Sequence, residues 1–286
     1  MALKGFLVVA LIAAPAPAQE GEAPRKGSFQ AVFKERHPSS NLKEVARRMG
    51  WSIADIHKQD PKIDDHKLES ESFEVNVPEA YAPGGGFGLL IWISPMDSGD
   101  APPEWAEVLA KRKLIVCGAN NSGNERGLWY RVSLALDAVH NMSKRYTIDK
   151  NRIYVTGFSG GAKIAARLGI AFPDVFNGGI YQGAMNFYKP VPDPADSKKS
   201  FPAMFLPPAA DLLKKARREC RHVVFVGAED FNQPPSKATW EMMKKEPFER
   251  LHYMEPAETP HVWATAGQFA EALDFLDKPS KADSRK

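Results

Sequence analysis

Cysteine is nearly absent: Cys117 and Cys220 are the only two in 286 residues. None of the seven histidines forms H-x-x-x-H or H-E-x-x-H, and no Cys/His cluster has metal-ligand spacing. The sequence therefore offers no metal-site motif, and no cofactor is expected. Net charge is also small, +3 with a pI of about 8.7, and much of the excess sits in the C-terminal tail. That argues against a nucleic-acid partner. Long apolar runs are missing too. Gly5 to Ala14 falls short of the roughly 20 residues a membrane span needs, and prolines close it. There are no internal repeats.

What is present begins with a processing signal. Lys4 gives a positive start, the apolar run follows, and Ala16-Pro17-Ala18 is a small-x-small cleavage site. Residues 1–18 are expected to be a signal peptide, with export to the periplasm or the outside and no stable membrane insertion after cleavage. No cysteine sits beside that site, which argues against a lipoprotein. At 43% hydrophobic and 26% charged, the rest suffices for one large α/β domain. Residues 19–68 read as an N-terminal extension packed on the main domain, 69–277 as that domain, and 278–286 as a charged, disordered tail.

Pattern gives the elements. Ser39-Ser40 can cap a short helix over 41–49, and 55–67 shows no clear period. ESESFEVNV (69–77) alternates like a half-exposed strand. GLLIWI (88–93) and KLIVCG (113–118) are continuous apolar runs, as in strands buried on both faces. A helix is expected over 102–111. Another follows the loop ANNSGNERG, with Leu128, Val132, Ala135, Leu136, Val139, Met142 and Tyr146 as its buried stripe. Asp137 and His140 lie off that stripe and read as solvated. Further strands are expected at 153–156, 176–183, 222–226 and 251–254, with helices at 209–218, 237–245 and 266–276. The proline-rich 186–208 reads as an irregular loop. Strands alternating with helices predict a mainly parallel sheet covered on both faces, with ligands outside the strands' carboxyl ends. Such a sheet puts Cys117 and Cys220 at opposite edges, too far apart for a disulfide.

The stretch that carries chemistry is RIYVTGFSGGAKIAARLGIAF, 152–172. It holds G-x-S-x-G, a pentapeptide that chance alone places in about one chain of this length in ten. Here a buried strand precedes it and a helix follows, the context of a nucleophile elbow. Ser159 is then the candidate nucleophile and the Gly160 N–H an oxyanion donor. A serine hydroxyl needs a base, and the base an orienting acid. In elbow enzymes these follow in the order acid, then histidine. Asp230, just past the strand HVVFV, is the preferred acid and Glu229 its competitor. His261, between the last strand and the last helix, is the base; His222 and His252 lie at the start of a strand and inside one. The second oxyanion donor is expected after GLLIWI, where Pro95 has no N–H, leaving Met96 ahead of Ser94. Asn120, Asn121, Gln182 and Trp263 are candidate substrate contacts.

From about Phe73 to Leu276 the chain resembles the α/β-hydrolase superfamily, and within it the esterase branch related to polyhydroxybutyrate depolymerases and feruloyl esterases. RIYVTGFSGGAKIA, FPDVFNGG, LALDAVHNMSKRYTID, VGAEDFNQ and ETPHVW carry the resemblance. It implies the α/β-hydrolase fold and cofactor-free hydrolysis of a small-molecule or polymeric ester through an acyl-enzyme on Ser159, with Asp230 and His261 as acid and base. One departure is Ser94-Pro95, where members of the branch often carry His-Gly. The alternatives are a serine peptidase of the same fold and a non-catalytic binding module. Such peptidases usually carry a large extra domain, for which the chain has no room.

Overall fold

In the computed structural model, which describes residues 24–59 and 61–278, the continuous apolar runs become the inner strands of an eight-stranded sheet. The chain enters through β1 (Gly27–Ala31), α1 (Leu42–Arg48), α2 (Ile53–Gln59) and β2 (Phe73–Val77). Then come β3 (Gly88–Ile93), α3 (Ala106–Lys111), β4 (Leu114–Ala119), α4 (Leu128–Arg145), β5 (Ile153–Phe158), α5 (Gly160–Ala171) and β6 (Gly178–Gln182). A hairpin of β7 (Val191–Asp193) and β8 (Asp196–Phe201) leads to α6 (Ala210–Arg218), β9 (Arg221–Phe225), α7 (Gln233–Lys245), β10 (Leu251–Met254) and α8 (Ala266–Leu276).

The strand order is β1-β2-β4-β3-β5-β6-β9-β10. β1 and β2 run antiparallel, and the six strands from β4 to β10 are parallel. Period-2 alternation divides the core between the two faces. Leu89, Ile91, Ile93, Ile115 and Val155 pack beneath α4 and α5. Leu90, Trp92, Val116, Tyr154 and Val223 pack beneath α3 and α8, where Trp105 stacks on Phe269 with ring centroids 3.9 Å apart. The mainly parallel sheet with helices on both faces is thus as expected. So are the cysteines, which lie buried as free thiols, with burial pushing Cys220 up to about 12.

Four readings change. β1 has no counterpart in the expected elements; it pairs with β2 at the edge of the sheet, so residues before 69 share the main sheet. Segment 186–208 contains the β7–β8 hairpin rather than irregular loop alone. α7 starts four residues early, because Pro234 and Pro235 sit in its first turn, where a missing N–H does no harm. Asp137 is fully buried rather than solvated: the N-terminal segment covers it, donating the His37 N–H at 2.6 Å and placing His66 Nε2 at 2.8 Å. The expected signal peptide lies outside the described residues, as does the tail beyond Lys278.

Candidate active site

β5 ends at Phe158 and α5 begins at Gly160, so Ser159 alone makes the turn. Its backbone sits at φ 53°, ψ −119°, a strained conformation for a side-chain-bearing residue. The surroundings enforce it. The Ser159 N–H donates to Gln182 O at 2.8 Å, and its carbonyl accepts from the Lys163 N–H at 3.2 Å. A Cβ on Gly157 would sit 2.5 Å from the Gly161 carbonyl carbon, and one on Gly161 would sit 2.0 Å from Ile93 O. Only glycines let the helix start this close to β5 and β3. Ser159 is left half-exposed at the carboxyl edge of the sheet. The Gly160 N–H beside it is in the first turn of α5, where N–H groups have no intrahelical acceptor.

The loops after β9 and β10 are zipped together. Glu229 N–H donates to Thr259 O at 3.0 Å and Ala228 N–H to Pro256 O at 3.0 Å, while a Cβ on Gly227 would fall 2.0 Å from Thr259 O. This brings Asp230 Oδ2 to 2.7 Å from His261 Nδ1. Asp230 is buried, and its Oδ1 accepts the Asn232 N–H at 2.8 Å. Glu229 is exposed and contributes only its backbone, so His261 meets Asp230 and not Glu229. An acceptor on Nδ1 fixes the proton there and leaves Nε2 as the free base. The His261 ring packs on Phe158, the residue before Ser159, at 4.6 Å between centroids, with Phe231 at 4.4 Å. No hydrogen bond joins the Ser159 hydroxyl to His261 among the described residues. In such sites that bond often tightens only when substrate is bound.

The remaining candidates fare unevenly. Met96 is exposed, but its N–H is spent on Ser94 Oγ at 3.1 Å, and Ser94 itself is buried. Asn120 is a brace: its amide donates to Ser72 Oγ and Glu74 Oε1 and accepts from the Gly99 N–H, which leaves nothing for a ligand. Asn121 makes a left-handed turn at φ 48°. Gln182 is fully buried and spans the site from below, donating to Thr156 Oγ1 at 2.8 Å and accepting from the Ala264 N–H at 3.0 Å. It positions the His261 loop rather than facing solvent. Trp263 packs on Phe158 at 5.6 Å and donates to Glu104 Oε1 at 2.6 Å.

Sequence reasoning missed Asn124 and Arg131. Asn124 lies in the same polar loop as Asn120 and Asn121, but its side chain is the one that reaches the elbow. An ideal Cβ on Gly160 would sit 1.9 Å from Asn124 Oδ1. Arg131 is buried under it, donating to Ser94 O at 2.8 Å and to Asn124 Oδ1 at 3.5 Å. Burial lowers its pKa to about 10, which keeps it charged at neutral pH. No signal in the sequence separates Arg131 from an ordinary helix-surface arginine. Among the described residues, no three His, Cys, Asp or Glu side chains are grouped to hold a metal ion.

A parallel sheet with an antiparallel edge, a strained serine between β5 and α5, and an acid and a histidine on loops after later strands define the α/β-hydrolase fold. No protein-family model matches the chain, and no curated protein matches it in sequence. Solved structures share the fold. S-formylglutathione hydrolase (FrmB) from Staphylococcus aureus superposes at a TM-score of 0.53 and 11% identity, covering 72% of this chain and 92% of that one. The poly(3-hydroxybutyrate) depolymerase LpqC from Bordetella parapertussis gives 0.52 and 14%, covering 75% and 87%. A thermostable esterase gives 0.51 and 15%; the match covers 72% of this chain and 58% of the esterase.

Proposed function

We propose that the protein is a serine hydrolase of carboxylic esters. The observation that carries this reading is the 2.7 Å contact between the buried Asp230 carboxylate and His261, packed against the residue that precedes a strained, half-exposed Ser159. Ser159 Oγ attacks the ester carbonyl while His261 Nε2 takes its proton. Asp230 holds the imidazole in the Nδ1–H tautomer and stabilises the imidazolium. The alcohol leaves with the proton from His261, and water activated by the same nitrogen then frees the acid from Ser159. The Gly160 N–H is one oxyanion donor. The second is the Asn124 side-chain amide: Arg131 faces its oxygen, leaving Nδ2 as the donor, whereas the Met96 N–H is already taken. No other group in the mechanism is needed. The processing signal read in residues 4–18 supports export, and with it a substrate outside the cytoplasm.

Turnover of a 4-nitrophenyl ester beside its matching 4-nitroanilide, by wild type and Ser159→Ala, tests this. The ester should be cleaved far faster than the anilide, and the variant should lose about 10⁴-fold or more in kcat. Preferential anilide cleavage would make the protein a peptidase. An unchanged rate in Ser159→Ala would remove the serine from the chemistry.

A further inference from the structure

A cavity of about 210 Å³ lies beside α5 and the segment that follows Asp230. Lys163, one turn along α5 from Ser159, forms part of its wall, and so does Asn232, which braces Asp230. Met185, Phe187, Val191, Phe201 and Met204 give it apolar sides, with Val191 and Phe201 supplied by the β7–β8 hairpin. Among the described residues no aspartate or glutamate lines it.

The polar groups in its wall are arranged for an anion. Ser236 is 1% exposed, and its hydroxyl has no hydrogen-bond partner among the described residues. A buried hydroxyl without a protein partner is costly and leaves a donor free for a water or a ligand. Asn186 also lines the cavity and backs onto Arg167, a buried arginine on α5. Only one orientation of the Asn186 amide puts an acceptor against that guanidinium, at 3.0 and 2.5 Å from its terminal nitrogens. The same orientation turns the amide nitrogen, a donor, away from Arg167. Neither Arg167 nor the neighbouring Arg131 has a carboxylate in ion-pair range among the described residues, and the two guanidinium groups repel each other. The Lys163 ammonium likewise has no carboxylate partner among the described residues. Burial brings Arg167 down to about 10, so it too stays charged at neutral pH. Two buried cations without carboxylate partners among the described residues, with the exposed Lys163 at the cavity rim, make the potential there positive.

Resting on the hydrolase reading, we infer that this cavity is the acyl-group subsite and that it takes a carboxylate. The preferred substrates are esters whose acid half carries a second, free carboxylate on a short methylene chain. The methylenes lie against the apolar walls, and Lys163, Ser236 and Asn186 hold the terminal carboxylate. The alcohol half belongs on the other side, within reach of His261 and beside the exposed Phe231, because His261 must protonate it as it leaves.

The test is a matched pair: the mono-4-nitrophenyl ester of adipic acid against 4-nitrophenyl hexanoate. The two have equal chain length, one ending in carboxylate and the other in methyl. The readout is the ratio of their kcat/KM values, which does not depend on how much active protein each preparation holds. Wild type should favour the adipate ester by about tenfold, the size expected for charge-assisted hydrogen bonds. Lys163→Met and Ser236→Ala should each reduce that ratio, Lys163→Met to about one, and added salt should narrow it. A wild-type preference for hexanoate, or a ratio untouched by Lys163→Met, would overturn the subsite while leaving the esterase standing. So would a stronger preference for an ester carrying its carboxylate on the alcohol half. If neither ester is turned over and a fluorophosphonate fails to label Ser159, the hydrolase reading itself falls and the subsite goes with it.

Discussion

Asp230 and Glu229 are adjacent carboxylates with opposite fates. Asp230 is buried, with both oxygens engaged by the Asn232 N–H and His261, while Glu229 faces solvent. Asp230→Asn should keep the hydrogen bond but favour the wrong imidazole tautomer, lowering kcat by about 10³–10⁴-fold. Glu229→Gln should change kcat by less than about twofold, since it removes a charge that meets water. A steady-state comparison of the two variants on one ester reads both. The turn at Ser159 and the meeting of Asp230 with His261 were legible because position along an alternating α/β chain fixes which residues end strands. Asn120 was misread as a ligand contact, and Asn124, four residues on, was passed over. Composition marks the loop as polar, but only the folded turn decides which amide braces β2 and which reaches Gly160.

At the scale of elements, the elbow depends on how closely α5 approaches the sheet. A Cβ on Gly161 meets backbone, Ile93 O at 2.0 Å, whereas one on Gly160 meets only the end of the Asn124 side chain. Gly161→Ala should therefore force helix and strand apart and lower stability by on the order of 3 kcal/mol, read as a fall in urea midpoint at constant m-value. Gly160→Ala should leave the midpoint nearly unchanged, because a surface side chain can rotate aside. Equal midpoints for the two variants would contradict the close approach. Strands β3, β4 and β5 were readable to within two residues, because a buried parallel strand must be a bounded apolar run. The β1 edge strand and the β7–β8 hairpin were not. GSFQA is too short and too polar to declare itself, and its strand state comes from pairing with β2, far along the chain. The hairpin carries DSKKSF on β8, a sequence whose one apolar residue, Phe201, comes at its end.

The whole molecule closes over polar groups that the pattern alone would have left in water. Asp137 is covered by the N-terminal segment, and His222 is fully buried between Tyr181 and the end of α6. His222 Nδ1 accepts from the Tyr181 hydroxyl at 2.7 Å and Nε2 donates to Ala216 O at 3.0 Å, so the neutral ring is fully satisfied. Burial pushes its pKa down from 6.5 to about 4. Because the folded value lies below the unfolded one, the unfolded chain binds the extra proton between those limits. The contribution is complete above pH 6.5 and is lost as pH falls to about 4, a loss of about 3 kcal/mol. Urea denaturation from pH 7.5 down to 4 should show this decline, and His222→Gln should flatten it. A slope unchanged by the substitution would place the acid sensitivity elsewhere.

Activation of Ser159 as a nucleophile is read most directly by fluorophosphonate labelling. Wild type and Ser159→Ala are treated with the probe, and the modified peptide is mapped by mass spectrometry. One adduct is expected, on Ser159, absent from Ser159→Ala and sharply slowed in Asp230→Asn. Folded wild-type protein that takes no label, or takes it on a different residue, would contradict it.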